Sequence, residues 1–262
     1  MNLYREIRSF YADFRGEKRI IGSSAEGRRL YAFFVGEHTY PVGICQYAMH
    51  AREWITALLA LEHIARGVPR GGVWFVPLVN PDGAAIVQNA YRKGRRAREK
   101  EFSLWKANAE GVDLNVNFPA RWGSGKSNVF SPAPENYVGK FPLCAPESRA
   151  LSRFTREIGP DYTVSWHTKG EEIYWRFHQP SEAEERDRRL AAILSASTGY
   201  PLAESPDSAG GYKDWCVESL GIPAFTVEVG RDALPHPLGT GELSGIVARC
   251  GNAVRDLSEG FI

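Results

Sequence analysis

Apolar positions in this chain gather into short β-branched or aromatic runs: Arg29 to Val35, Val42 to Ala48, Val73 to Pro77, Tyr162 to Trp166 and Ala224 to Val229. Between most of these lie stretches with helical spacing, at Glu53 to Arg66, Pro146 to Ile158, Ser181 to Thr198 and Gly241 to Leu257. This alternation predicts an α/β fold, a mixed and mostly parallel twisted β-sheet with helices on both faces. In the first helix Ile55, Leu58, Leu59 and Glu62 are spaced for one buried stripe. Pro146 and Glu147 suit a first helical turn, where a missing amide costs nothing and an acid meets the positive end of the dipole. Ser181 with Glu184 reads as a capping box. From Arg121 to Pro142 glycine, proline, serine and asparagine prevail, which predicts a long ordered loop over the sheet edge.

A chain of 262 residues, 43% of them hydrophobic, can bury one sizeable core, so residues 1–262 are expected to form one domain. The net charge of +1 provides no strong field for nucleic acid or an anionic membrane surface, and neither is expected as a partner. The basic run Tyr91 to Lys100 lacks interleaved aromatics and reads as a solvated face. Cys45, Cys144, Cys216 and Cys250 form no Cys-x-x-Cys pair, which excludes a sulfur-ligated zinc site and a compact disulfide framework; reduced thiols are expected. No stretch of about 18 apolar residues occurs, and charges interrupt the apolar residues at the start of the chain. A cytoplasmic location is the expectation, with export left open should the start be trimmed. Oligomeric state has no signature.

His50 follows the strand at Val42 to Ala48, Glu53 opens the next helix, and His167 follows the strand at Tyr162 to Trp166. Side chains at strand ends meet in the crevice where open α/β sheets bind ligands. Two histidines and a carboxylate, with a fourth position open, are the ligand pattern of a catalytic zinc site. A lone buried histidine is more often a satisfied core residue, so the surroundings decide.

Those surroundings are His50-Ala-Arg-Glu53-Trp54, Asn80-Pro-Asp-Gly83, Gly111-Val-Asp-Leu-Asn115, Trp166-His167 and Phe225-Thr-Val-Glu228. In order and spacing they resemble the zinc carboxypeptidases over nearly the full length of the chain. His167-Thr-Lys-Gly-Glu-Glu-Ile-Tyr-Trp175 and Gly210-Gly-Tyr-Lys-Asp-Trp215 are most similar to the bacterial branch that cleaves peptidoglycan peptides between γ-D-glutamate and diaminopimelate. The resemblance implies one Zn2+ per chain on His50, Glu53 and His167, with Glu228 as general base and acid. Asp113 is a candidate acceptor for the imidazole N–H of His50, or else a turn aspartate bonding its own backbone. Lys106 follows Trp105 where the family stabilises the developing oxyanion, with Arg92 and Arg95 as alternatives. Arg52 resembles a substrate-subsite arginine, and Asn115 belongs to the substrate side of the cleft.

Two departures bear on substrate. The family reads Asn-Arg-Asn after Gly-Val-Asp, its arginine clamping a terminal carboxylate; this chain reads Asn115-Val116-Asn117. Fifteen residues before Glu228, at the base of the family's specificity pocket, stands Lys213. A lysine there selects an anionic side chain, such as the extra carboxylate of diaminopimelate or a C-terminal glutamate. The family's mobile tyrosine has no counterpart at Pro206, and Tyr212 is the nearby candidate. The expectation is a zinc peptidase acting on peptidoglycan-derived peptides. The alternatives are a metallocarboxypeptidase removing acidic residues from ordinary L-peptides, and an inactive binding module of the same fold.

Overall fold

The computed structural model describes residues 2–93, 102–204 and 207–261. Eight strands form one sheet: β1 (Lys18–Ser23), β2 (Arg29–Gly36), β3 (Val42–Tyr47), β4 (Gly72–Val76), β5 (Tyr162–His167), β6 (Glu172–Tyr174), β7 (Leu202–Ala203) and β8 (Ala224–Glu228). Their spatial order is β1-β2-β4-β3-β5-β8-β6-β7. The central strands β4, β3, β5 and β8 run parallel, while β1, β2 and β6 are antiparallel to their inner neighbours. The α/β expectation holds, and each of the five apolar runs becomes a strand. β4 and β5 are buried at every position, the pattern of strands covered on both faces.

Helices lie on both sides. α1 (Leu3–Asp13), α2 (Ile55–Arg66), α3 (Pro81–Lys93), α5 (Ser181–Thr198), α7 (Leu243–Cys250) and α8 (Ala253–Glu259) contribute to one buried cluster with Tyr47 and Trp166. α4 (Pro146–Ile158) and α6 (Tyr212–Leu220) contribute to the other, with Ile44 and Trp74. α4 and α5 have the predicted bounds. Within α2 the apolar stripe is wider than the sequence suggested: Thr56, Ala57, Ala60, His63 and Ile64 are buried as well, and Glu62 is exposed.

Three local expectations are corrected. Ser181 is not a capping residue: Pro180 holds that position, its carbonyl accepting from Ala183 and Glu184, and no side chain caps the helix. The predicted helix from Gly241 to Leu257 breaks into α7 and α8 at Gly251-Asn252, two poor helix formers. A Cβ on Gly251 would stand 2.7 Å from the Arg66 guanidinium carbon. Glu53 lies in a 3-10 turn, Ala51–Glu53, ahead of α2 and not inside it. The stretch Arg121 to Pro142 is ordered without regular elements, its one isolated bridge joining Val129 and Tyr137. The four cysteines are free, and no helix among the described residues is long and apolar enough to cross a membrane.

β3 lies between β4 and β5, so the chain leaves it toward β4 and later returns to its other side. That divergence opens a crevice beyond the carboxyl ends of the parallel strands. His50 lies just beyond the end of β3, His167 ends β5 and Glu228 ends β8.

Candidate metal centre

The segment carrying His50 and Glu53 is fixed by backbone clamps. Asn80 donates to the Met49 and Ala107 carbonyls, and its own Oδ1 accepts from the Gly83 amide. Gly83 admits no side chain there: a Cβ would lie 2.6 Å from the Ala107 carbonyl and 2.7 Å from the Ala51 Cβ. Asp82 accepts from Ser24, the Glu26 amide and Arg28, securing β1–β2 to the start of α3. The motif Asn80-Pro-Asp-Gly83 thus builds the scaffold that aims His50.

His50 Nδ1 lies 2.9 Å from one Glu53 oxygen, and His167 Nδ1 lies 2.8 Å from the other. The two Nδ1 atoms stand 3.1 Å apart. All three side chains are buried, and one ligand atom from each fits within a 4.8 Å group. Tetrahedral ligands at the usual zinc bond lengths stand about 3.3 Å apart, so the donor set and its spacing fit this metal. Burial disfavours the Glu53 carboxylate, yet the His50 and His167 charges hold it well below the ordinary range. For His50, burial is outweighed by Glu53, with Asp113 adding to it, and the imidazole is pushed up.

Asp113 stands both at a turn of its own backbone and beside His50. Its Oδ1 accepts from the Asn115 amide at 3.1 Å and lies 3.3 Å from His50 Nε2; its Oδ2 accepts from the Asn136 amide at 3.0 Å. The His50 contact is an ion-pair distance without full hydrogen-bond alignment, since Nε2 has no aligned partner. Lys106 Nζ sits 3.1 Å from Asp113 Oδ2. Burial opposes both charges, but the pair wins: Asp113 is held well below its usual range and Lys106 is pushed up. Lys106 therefore stays cationic beside the centre, where its charge reaches both Glu53 and Glu228.

Glu228 pairs in register with His167 across β5 and β8, and with Glu172 across β8 and β6. Its Oε2 is buried with no hydrogen-bond partner among the described residues. Burial, then the charge of Glu53, lifts its carboxyl to about 8. Glu172, which the sequence reading did not single out, adds to this and is held by the Tyr174 hydroxyl at 2.5 Å. Only the sheet register reveals it.

The expected substrate contacts divide. Arg52 donates to the Leu104 carbonyl and lies 3.3 Å from Glu135. Asn115 accepts from the Tyr212 amide at 3.0 Å and so anchors the start of α6, where Lys213 follows. Lys213 is buried, 2.6 Å from Asp214 Oδ1 and 3.1 Å from the Arg176 carbonyl. The free cation expected from sequence is thus an internal ion pair. Tyr212 is a correction: it is fully buried and its hydroxyl lies 2.8 Å from Thr155 on α4, so it packs the core and does not reach substrate. Successive helical residues point about 100° apart, which proximity in sequence cannot show. Arg95 and Pro206 lie outside the described residues, as does most of the basic run, including the side chain of Arg92. A wide groove of about 1010 Å³ runs along α5, lined by Glu182, Glu185 and Arg188, and contains none of the metal ligands.

The zinc carboxypeptidase family model matches residues 13–240. The chain belongs to this family. A relative, gamma-D-glutamyl-L-diamino acid endopeptidase 1 of Lysinibacillus sphaericus, is 32% identical across 91% of this chain and 66% of its own length. Metallocarboxypeptidase A of Trichophyton rubrum is 28% identical across 78% of this chain and 56% of its own. The chain spans about two thirds or less of these relatives. Among solved structures, murein-tripeptide amidase MpaA of Escherichia coli O157 is 25% identical with a TM-score of 0.65, covering 96% of this chain and 95% of that one. Bovine thrombin-activatable fibrinolysis inhibitor, 22% identical with a TM-score of 0.80 over 98% of this chain and 96% of its own, shares the fold. Zinc is the family's metal, and the His50, Glu53 and His167 cluster fits it.

Proposed function

We propose that this chain is a zinc peptidase hydrolysing the γ-D-glutamyl–meso-diaminopimelate bond of peptidoglycan peptides. The observation that carries the reading is the pairing, across one rung of the sheet, of His167 with Glu228, a metal ligand beside a carboxyl whose buried Oε2 has no hydrogen-bond partner among the described residues. Zinc on the three ligands supplies a Lewis acid that polarises the scissile carbonyl and acidifies water. Glu228 takes the proton of the attacking water at its free Oε2 and passes it to the leaving amine. Lys106, kept cationic by Asp113 at 3.1 Å, would stabilise the negative charge that develops on the attacked carbonyl. Asp113 meanwhile orients His50.

The choice of bond is supported by the names of two relatives, an endopeptidase for γ-D-glutamyl-diamino acids and a murein-tripeptide amidase. It is supported also by Val116, which offers no clamp for a terminal carboxylate. Zinc-loaded protein incubated with L-Ala-γ-D-Glu-meso-diaminopimelate should release diaminopimelate, read by mass spectrometry. No release, with cleavage of an α-linked peptide ending in glutamate, would instead favour an acidic-residue carboxypeptidase.

A further inference from the structure

Behind Lys106 lies a buried carboxylate that the mechanism leaves unused. Glu147, in the first turn of α4, is fully buried, and its two oxygens accept from distant parts of the chain. Oε1 accepts from the Ala25 amide and Oε2 from the Asn108 side chain, each at 3.0 Å. Asn108 is fully buried as well. Its Oδ1 accepts from the Glu110 and Val112 amides, both at 3.0 Å, and its own amide donates to the Val112 carbonyl at 2.8 Å. Its carbonyl accepts from Trp105 Nε1 at 3.1 Å and from the Gly111 amide at 3.2 Å. One residue thus staples the turn that separates Lys106 from Asp113.

Those two ends are the opposite charges beside the metal centre. The Lys106 backbone is clamped on its own account, its amide donating to the Pro134 carbonyl at 2.9 Å and its carbonyl accepting from the Ala51 amide at 3.0 Å. Its long side chain is steered by Asp113, 3.1 Å from Nζ. Asp113 follows directly on Val112, which Asn108 holds by both amide and carbonyl. The turn closed by Asn108 therefore sets where the Lys106 charge points. An asparagine amide has nearly the same shape either way round, and only one way offers the turn an acceptor. An ionised carboxylate accepts and does not donate, so Glu147 draws the NH2 to its own side and leaves Oδ1 to the turn. The Ala25 amide keeps the carboxylate from swinging away, and the next amide, of Glu26, is held by Asp82 at 2.8 Å.

We propose that Glu147 and Asn108 are positioning residues for hydrolysis: the carboxylate fixes the amide, the amide closes the turn, and the turn holds Lys106 toward the attacked carbonyl. The proposal rests on the role given to Lys106 above. The test exchanges donor and acceptor. Glu147→Gln sets an NH2 against either the Asn108 NH2 or the Ala25 amide, and Asn108→Asp sets two carboxylates face to face. With zinc saturating, each should lower kcat on L-Ala-γ-D-Glu-meso-diaminopimelate by at least about tenfold with KM little changed, a fraction of the roughly 10²- to 10³-fold that losing an oxyanion donor costs. Combining Glu147→Gln with Asn108→Asp lets the glutamine donate to the aspartate, whose other oxygen still serves the turn, and most of the lost kcat should return. In a Lys106→Met background Glu147→Gln should lower kcat no further. Hydrogen exchange at the Glu110 and Val112 amides reads the turn without substrate, and should quicken in each single variant and slow again in the pair. Unchanged kcat in both single variants, a folded pair that regains no activity, or a loss undiminished in Lys106→Met overturns the assignment. If the wild-type protein cleaves no such tripeptide, the proposed reaction fails, and the exchange rates alone then decide the staple: unchanged rates overturn it, quickening restored in the pair upholds it.

Discussion

Burial and the Glu53 charge lift the Glu228 carboxyl from an ordinary 4.5 to about 8, and this has a sign that can be measured. Folding favours the protonated form, so the contribution to stability is complete below about 4.5 and is lost as pH rises toward 8. Metal-free wild-type protein should therefore lose stability relative to Glu228→Gln over that window, by chemical denaturation at stepped pH. A parallel pair of curves would contradict the buried, unpartnered carboxyl. In the zinc-loaded enzyme the same Glu228→Gln change should retain metal and fold but lower kcat by about 10²- to 10⁴-fold, the usual contribution of a positioned general base. Asp113→Asn should weaken zinc binding by about 10- to 100-fold, measured by competition with a chelator, because His50 loses its orienting charge. What the sequence showed at this scale was local. His50, Glu53 and Glu228 announce themselves by their motifs, whereas Glu172 reaches the centre only through strand pairing. Tyr212 misled because a neighbour of Lys213 in sequence faces elsewhere on the helix.

Elements read well where burial is continuous and poorly where it is not. β3, β4, β5 and β8 were legible as apolar runs because helices cover both their faces. β1, with its polar and half-exposed positions, and the two- and three-residue β7 and β6 carry no such run. α6 has nine residues and carries in its first turn a lysine and an aspartate whose burial depends on each other, so it shows no apolar run. The elements that aim the ligands depend on close backbone contact. Gly83→Ala should force Ala51 and the Ala107 carbonyl apart, costing about 1 to 3 kcal/mol by denaturant unfolding. Zinc affinity should fall with it, since the same clamp sets the position of His50.

For the molecule as a whole, the three ligands join positions 50, 53 and 167, drawn from strand exits more than a hundred residues apart. A metal that binds only this arrangement stabilises the folded state by mass action, about 2.7 kcal/mol at a free concentration one hundred times Kd. Chelation should lower the unfolding temperature in proportion, and zinc readdition should restore it.

The rung that sets His167 beside Glu228 has one more consequence. In a parallel sheet a slip of one residue turns every side chain of a strand to the opposite face. A molecule whose β5 or β8 had wound in the wrong register would offer the metal an incomplete nest and the water no proton acceptor, while keeping its overall helix and strand content. Bound zinc per chain is therefore a census of correctly wound molecules, able to count misassembled protein that circular dichroism would pass as native.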